Sequence, residues 1–478
     1  MKHATQDRAG HGPSRRDVLG AGLLGLTGAS LPRIASGAVV RPARGSSHRH
    51  ARNLIFMVAD GMSTGTLTLA ETFRAMRDAR PGYWVGLWNR DGVHRASAST
   101  ASADSYVTDS AAGASAWSTG QRTNNGVLNI LPDGTELTPL LVRAAERGMG
   151  TGVVTTTRVT HATPAAFYAT IRSRDLEDDI AGQLLDRGVH VALGGGSDHF
   201  PEALLSRHAD ARVIRSRAEV LDLATGAPAN PSGRVLGLFT GSHMHYELDR
   251  PDDEPTLAEM TRAALAVLDR HPGGFVLQVE GGRVDHAAHA NDAGALIREQ
   301  LCFDDAIAEV LRYCDARDDT LVIITTDHGT ANPGLSYYTR AASERFARIA
   351  GVTRSFEWLA AQLDAAGSPE QQSARLPNLI RQSQGISLRD RELELLERAR
   401  RGERVHPLRI AGEPSHVLGA LLADHLGVSF MSGDHTSDYV EVTALGPGSD
   451  ALPKLIANTD LHALVCAALD LEPAGTPR

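Results

Sequence analysis

The sequence predicts an α/β fold: a three-layer sandwich in which a large, mostly parallel central sheet is flanked by helices, with an added helical insertion. Short apolar runs typical of buried strands alternate with segments of helical periodicity from Asn53 onward. Several of these runs end in acidic residues. Residues 334–430 differ, because they are helical in pattern, rich in charge and without a clear strand.

The predicted strands are apolar along their whole length, which indicates a sheet covered on both faces. They are 53–60 (NLIFMVAD), 150–157 (GTGVVTTT), 190–196 (HVALGGG), 275–282 (FVLQVEGG) and 320–329 (TLVIITTDHG). Helical patterns lie between them, as in the apolar spacing of Leu257, Met260 and Ala264. This alternation favours parallel strands joined by crossover helices.

The first 38 residues resemble an export signal. Arg15 and Arg16 precede an apolar run over 18–30, and the small residues ASGA follow at 35–38. A basic region, a short apolar stretch and a small-residue cleavage site predict a signal peptide, and the paired arginines indicate the twin-arginine pathway. We therefore expect a linker over 39–52, a catalytic domain over 53–478, and a mature protein that is periplasmic or extracellular.

Composition argues against a nucleic-acid-binding protein and against a membrane-spanning one. The net charge of −9 argues against a broad nucleic-acid-binding surface, and no apolar run past the N-terminus is long enough to span a bilayer.

Cys302 and Cys314 are separated by ~18 Å if they share one continuous helix, too far to form a disulfide. Together with Cys466 they imply no disulfide framework, so the chain could fold in the reducing cytoplasm before export.

Acidic side chains follow three of the predicted strands. The strands end at Asp60, at Glu280, and at Asp327 with its neighbour His328. Ligands of parallel α/β sheets bind at the carboxyl ends of strands. Carboxylates gathered there repel one another unless cations neutralise them.

Further candidate ligands lie outside the strands. Asp285 and His289 are spaced i, i+4, so on a helix they project from one face, and a late SGDHTSDY stretch offers His435. An Asp/His set suits zinc, whereas an oxygen-rich set suits magnesium. Each of these residues alone would more often be a turn or surface residue, and the prediction depends on their joint occurrence.

The stretch YVTDSAAGASAWSTG (106–120) allows two interpretations. Asp109 and Ser110 are followed by small residues, which is typical of a capped helix start. A hydroxyl at a helix N-terminus also lies beside free N–H groups that favour an anion such as phosphate. The stretch by itself favours the helix cap.

Six motifs together resemble the alkaline phosphatase family, in order and spacing. They are VTDSAAGASAWSTG, VVTTTRVTHATPAAFYA, LGLFTGSHMHYELDR, VEGGRVDHAAH, TTDHG and GDHT. The resemblance runs from about Asn53 to His328 and resumes near His435, and it does not include 334–430. It implies an exported, metal-dependent phosphomonoesterase that acts on small phosphate monoesters through a covalent phosphoserine. It also implies a homodimer.

The resemblance implies a role for each matching position. Ser110 corresponds to the nucleophile, Arg174 to the arginine that grips phosphate, and Asp109 to the acid that orients this arginine. Two zinc ions and one magnesium ion are implied. The corresponding ligands are Asp285, His289 and His435 for the first zinc, Asp60, Asp327 and His328 for the second, and Asp60, Thr163 and Glu280 for magnesium.

Two positions differ from one branch of the family. His161 and His286 stand beside predicted ligands, where some bacterial members have Asp and Lys. The missing charges predict a weaker hold on magnesium. The alternative function is a phosphodiesterase or a sulfatase-like hydrolase of the same superfamily, against which the third-metal residues Thr163 and Glu280 argue.

Overall fold

A computed structural model describes residues 50–226, 233–336, 340–405 and 413–472. The predicted signal peptide, with Arg15 and Arg16, and all but the end of the predicted linker lie outside the described residues. None of the helices in the described ranges combines the length and apolar character that crossing a membrane requires.

The strands follow the chain from Asn53 to Ala457. They are β1 Asn53–Ala59, β2 Val93–Ser99, β3 Gly150–Arg158, β4 Val191–Gly195, β5 Arg212–Ile214, β6 Val235–Leu238, β7 Phe275–Gly281, β8 Thr320–Thr325, β9 Gly329–Thr330, β10 Gly334–Leu335, β11 Val428–Ser429, β12 His435–Thr436, β13 Val440–Leu445 and β14 Leu455–Ala457.

The helices lie between these strands, singly or in runs. They are α1 Thr64–Asp78, α2 Tyr83–Leu87, α3 Ser110–Thr119, α4 Leu140–Glu146, α5 Ala162–Ala166, α6 Glu177–Asp186, α7 Glu202–Leu205, α8 Arg217–Ala224, α9 Leu257–Leu268, α10 Arg283–His289, α11 Ala293–Cys314, α12 Arg340–Phe346, α13 Phe356–Asp364, α14 Pro369–Gln384, α15 Asp390–Arg400, α16 Pro414–Leu426 and α17 Asp460–Leu469.

Ten of the described strands form one sheet, in the order β14-β2-β13-β8-β1-β7-β3-β4-β6-β5. Strand β13 pairs antiparallel with both β2 and β8, and the other pairings in this sheet are parallel. The predicted fold class is therefore confirmed: a large, mostly parallel sheet between two layers of helices. The five predicted strands correspond to β1, β3, β4, β7 and β8.

Strand β1 shows why its sequence is apolar throughout. Leu54, Phe56 and Val58 belong to the apolar core on one face of the sheet. The alternate residues Ile55 and Met57 belong to the core on the other face. Because successive side chains of a strand point to opposite faces, a strand covered on both sides needs apolar residues at every position.

The region predicted as a helical insertion contains α12 to α16. Its two ends meet in a short antiparallel pair in which Gly334 lies opposite Ser429 and Leu335 opposite Val428. We call the described residues 340–405 and 413–430 the helical segment. A third apolar cluster joins the segment to α1 and α11, through residues such as Phe73, Ile297 and Ile380.

Candidate active site

The carboxyl ends of four neighbouring parallel strands, β8, β1, β7 and β3, meet at one edge of the sheet. Asp60 follows β1, Glu280 lies near the end of β7, and Asp327 is the second residue after β8. These three acids are fully buried. The topology thus gathers carboxylates that are far apart in the sequence.

A tight turn after β1 brings the acids close together. Gly61 has φ +67°, and a Cβ atom there would lie only 2.4 Å from Asp285 Oδ1. Its backbone N–H donates to Asp327 Oδ1 at 3.1 Å. A side chain at this position would be strained and would collide with Asp285, so the turn requires glycine.

Asp285, His289 and His435 converge on one point. His289 Nε2 lies 3.3 Å from Asp285 Oδ2 and 3.0 Å from His435 Nε2. His289 Nδ1 donates to the carbonyl oxygen of Gly433 at 2.6 Å, and His435 Nδ1 donates to that of Thr108 at 2.9 Å. Carbonyl oxygens only accept, so each Nδ1 carries a proton, and the two Nε2 atoms that face each other are the ring atoms available to a metal, as in metal-binding histidines.

Two further groups adjoin this one. Asp60, Asp285 and His328 form the second group, and Asp60, His161 and Glu280 form the third; in each group the candidate ligand atoms lie within 4.8 Å of one another. Asp285 belongs to the first two groups and Asp60 to the last two, so the three groups are contiguous.

Two of the predicted ligands lie at the edges of these groups. Asp327 Oδ2 lies 3.2 Å from His328 Nε2. Thr163 donates its hydroxyl hydrogen to Asp60 Oδ2 at 3.1 Å. The structure therefore brings together all eight residues predicted to bind metal, and adds His161, which we expected only beside the ligands.

Buried polar atoms without partners test whether this donor set suits cations. Within the described residues, Asp60 Oδ1, Glu280 Oε1, Asp327 Oδ2 and His161 Nδ1 are buried and have no hydrogen-bond partner. Leaving such groups unpaired costs about 1–3 kcal/mol each. The three carboxylate oxygens are lone-pair donors at one place, and divalent ions fit them.

Burial makes ionisation of the central carboxylates difficult in the absence of cations. It raises the pKa of Asp60 well above its usual range, and the carboxylates of Asp327, Asp285 and Glu280 raise it further. Burial likewise raises the pKa of Glu280 to about 7. A positive partner reverses this effect: burial opposes the charge of Asp285, but His289 holds its pKa well below the usual range.

Ser110 is the first residue of α3, and its side chain lies beside the acidic groups. The hydroxyl oxygen is 3.3 Å from His328 Nε2, and the residue is buried. Asp109 caps the helix by accepting from the backbone N–H of Ala112 at 2.9 Å. Three residues on, a Cβ atom at Gly113 would approach Asp327 Cβ to 3.0 Å, so the small residues let α3 pack against the acids. Both interpretations of this stretch apply, because the capped helix start also faces the site.

Arg174 is held from two sides. Its NH1 donates to Asp109 Oδ2 at 2.9 Å, and its NH2 donates to His161 Nε2 at 2.9 Å. The same oxygen of Asp109 accepts from the backbone N–H of Gly126. Burial opposes the charge of Arg174, but Asp109 raises its pKa. The guanidinium thus remains a fixed cation at the N-terminus of α3, where an anion would bind.

His161 belongs to a cluster of three histidines beside this arginine. The rings of His161 and His286 lie 5.6 Å apart, and that of His243 lies 5.5 Å from His161 and 4.4 Å from His286. Each accepts a hydrogen bond from one arginine: Arg174 for His161, Arg158 for His243 and Arg283 for His286. Since arginine only donates, the accepting nitrogen of each histidine carries no proton.

The sequence model of the alkaline phosphatase family matches residues 51–471. The chain belongs to the alkaline phosphatase family. This family is metal-dependent, and its members hydrolyse phosphate monoesters, so the chain is a phosphomonoesterase. The expected enzyme class is confirmed.

Relatives of the chain cover most of its length. A crystal structure of alkaline phosphatase from Thermus thermophilus superposes with a TM-score of 0.83, at 33% identity, over 93% of this chain and 96% of that one. Alkaline phosphatase 3 of Bacillus subtilis is 28% identical over 93% of this chain and 95% of its own length. Streptomycin-6-phosphate phosphatase of Streptomyces griseus is 35% identical over 69% of this chain and 84% of its own length.

Sequence reasoning did not single out several residues that contact the site. Thr155 donates to Glu280 Oε2 at 2.5 Å, and Thr330 donates to Asp285 Oδ1 at 2.6 Å. Thr155 lies on a predicted strand beside the acids, a position that could have been noticed. His243 lies within the motif LGLFTGSHMHYELDR, but no local pattern indicated its contact, because only the tertiary fold brings it to His286.

Proposed function

We propose that this alkaline phosphatase transfers the phosphoryl group of its substrate to Ser110. The observation that supports the proposal is the position of the Ser110 hydroxyl, which lies 3.3 Å from His328 Nε2 at the start of α3. This hydroxyl is buried, lies at a helix N-terminus and adjoins the second of three contiguous groups of lone-pair donors. A binding site without turnover would have no need for it.

The reaction takes two steps. The Ser110 hydroxyl gives up its proton as its oxygen bonds to phosphorus and the bond to the ester oxygen breaks; the leaving oxygen takes up one proton, so the net products are phosphoserine and the alcohol. Water then displaces serine from the phosphoserine, which releases inorganic phosphate and restores the hydroxyl. The Arg174 guanidinium and the free backbone N–H groups at the start of α3 suit the anion in both steps.

Arg174 and Asp109 orient the phosphate. Asp109 and His161 each use one N–H of the guanidinium, which leaves the others for a bidentate contact with phosphate oxygens. Asp109 also fixes the start of α3, so the arginine and the nucleophile share one support. We therefore assign to Asp109 the role of holding Arg174 and Ser110 in a fixed position relative to each other.

The proposed ion set is two zinc ions and one magnesium ion. Asp285, His289 and His435 would hold one zinc, and Asp60, Asp327 and His328 the other. Asp60, Thr163 and Glu280 would hold magnesium, with His161 adjacent. When bound, such ions lower the pKa of the serine hydroxyl and stabilise the attacking and leaving oxygens.

Metal analysis combined with substrate comparison tests this function. The purified mature protein should contain zinc and magnesium and should hydrolyse an aryl phosphate monoester much faster than a diester or an aryl sulfate. A protein that prefers the diester or the sulfate ester would belong to the alternative class. A Ser110→Ala variant should retain zinc and lose turnover.

We also propose export through the twin-arginine pathway, as Arg15, Arg16 and the following apolar run suggest. A reporter fused to residues 1–45 should reach the periplasm or the medium, and changing both arginines to lysine should block this. Export that persists in the double variant would assign the signal to the general secretory route.

A homodimer is a further proposal, and it rests on the resemblance to the family. Sedimentation equilibrium of the mature protein should give twice the mass of the chain. A monomeric mass across the micromolar range would exclude a stable dimer.

A further inference from the structure

The helical segment contacts both ends of α10, the seven-residue helix Arg283–His289. This helix carries Asp285 and His289 of the first ligand group, together with His286. Nothing in the sequence of the segment suggested a role at the site. Its two contacts with α10 provide one.

The first contact holds the beginning of α10. Arg283 NH2 donates to Glu357 Oε2 of α13 at 2.5 Å, and its side chain is only 4% exposed. Its guanidinium carbon lies 3.8 Å from the centre of the Tyr246 ring. Arg283 NH1 donates to His286 Nδ1 at 2.9 Å, which places the imidazole proton on Nε2. Glu357 thus fixes the arginine that fixes the orientation and tautomer of His286.

The second contact holds the end of α10. His416 Nε2, on α16, donates to the backbone oxygen of His289 at 2.8 Å. A Cβ atom at Gly433 would lie 2.2 Å from the same nitrogen, so the His416 ring also packs directly on Gly433. Gly433 is the residue whose carbonyl orients the His289 imidazole. His416 therefore supports His289 and the partner that sets its tautomer.

The segment is itself held firmly. Its apolar side chains share one cluster with α1 and α11. The backbone N–H of Phe356 donates at 2.6 Å to Asp292, the N-cap of the helix that follows α10. Glu357 and His416 are therefore presented from a packed element, and their contacts can resist movement of α10.

We propose that the helical segment braces α10, with Glu357 and His416 as positioning residues for the ligand group Asp285, His289 and His435. This inference rests on the metal site of the proposed function. Groups that orient metal ligands typically contribute about 10- to 100-fold to metal affinity. Loss of either contact should therefore speed the escape of zinc from this group.

Zinc release into a chromogenic chelator tests the brace without use of the enzyme reaction. The mature, zinc-loaded protein is compared with Glu357→Ala and His416→Ala. The conservative variants Glu357→Gln and His416→Gln keep an acceptor and a donor of similar reach. Asp364→Asn on α13 and His425→Ala on α16 are matched controls, since His425 contacts Glu392 within the segment.

We expect each alanine variant to release zinc about tenfold faster than wild type. Both glutamine variants and both controls should stay within about twofold of wild type, because the contacts are retained or untouched. Melting curves of the metal-free proteins identify any variant that has not folded. In that event Gly433→Ala, which forces a methyl group against His416, replaces the alanine variant at 416, and Glu357→Asp, too short to reach Arg283, replaces the one at 357.

Zinc release from folded alanine variants at the rate of their controls would overturn the brace. Equal acceleration in the alanine and glutamine variants would overturn the two specific contacts. A wild-type protein that binds no zinc and releases no phosphate would instead refute the proposed function. A zinc-loaded, active wild type with unchanged variants refutes only the brace.

Discussion

The change Glu280→Gln should stabilise the metal-free protein at alkaline pH. Burial raises the pKa of Glu280 from 4.5 to about 7 in the folded protein. Between these two pH values the unfolded chain has lost this proton and the folded chain still holds it, so the free energy of unfolding falls as pH rises. Above pH 7 both states have lost the proton, and the loss of unfolding free energy no longer grows. The difference between the two pKa values corresponds to a loss of about 3 kcal/mol.

Glutamine has no charge to desolvate, so the variant should not show this loss. The difference in unfolding free energy, variant minus wild type, should rise by about 3 kcal/mol between pH 5 and pH 8.5. With magnesium and zinc present, the variant should instead be less stable than wild type, because it loses a carboxylate that the proposed magnesium ion would bind.

Urea denaturation followed by circular dichroism measures this difference, in chelator, at several pH values across the window. Glu394→Gln, at an exposed position of α15, gives the baseline for a glutamate lost at the surface. A difference between Glu280→Gln and wild type that stays flat from pH 5 to 8.5 would refute the reasoning. It would mean that the folded protein does not force the proton onto Glu280.

Three further outcomes follow from the site. Chelation should abolish activity and lower the melting temperature, and zinc should restore both, because the ions offset the repulsion among the buried carboxylates; an unchanged melting curve in the stripped protein would contradict a shared site. Arg174→Lys should lower kcat/KM by about tenfold or more, since an ammonium cannot make the planar fork, and a lysine variant with wild-type kcat/KM would show that the fork is not used. His161→Asp should reduce the need for added magnesium in the assay, because it places a carboxylate beside Asp60 and Glu280; a wild type that keeps full activity after dialysis without magnesium would count against this.

The sequence predicted the central strands and their acids for a simple reason. Strands β1, β7 and β8 are buried on both faces, so they are continuous apolar runs, and the acids that follow them stand out. The i, i+4 spacing of Asp285 and His289 was likewise visible, because a helix places both on one face.

Other strands could not be predicted, because their sequence patterns are weaker. Strand β2 reads VHRASAS, with several exposed or half-buried positions, so its pattern does not distinguish it from a loop. The antiparallel direction of β13 depends on where a long connection returns to the sheet. No local pattern records that choice.

The residues that hold α10 in place could not be predicted from local sequence patterns either. Glu357 and His416 lie on helices whose sequences, FEWLAAQLD and PSHVLGALLADHL, contain no motif that points to the site. Their contacts with α10 arise only because the apolar face of the segment packs on α1 and α11. Residues that act through tertiary contacts give no periodicity or motif by which a single sequence would reveal them.

Trapping of the phosphorylated enzyme tests the central claim most directly. Wild-type protein mixed with labelled phosphate or an aryl phosphate and quenched in acid should carry label on one peptide, with the phosphate on Ser110. The Ser110→Ala variant, loaded with the same zinc content, should carry none. Label on any other residue, or label that survives in the alanine variant, would contradict a phosphoserine at the start of α3.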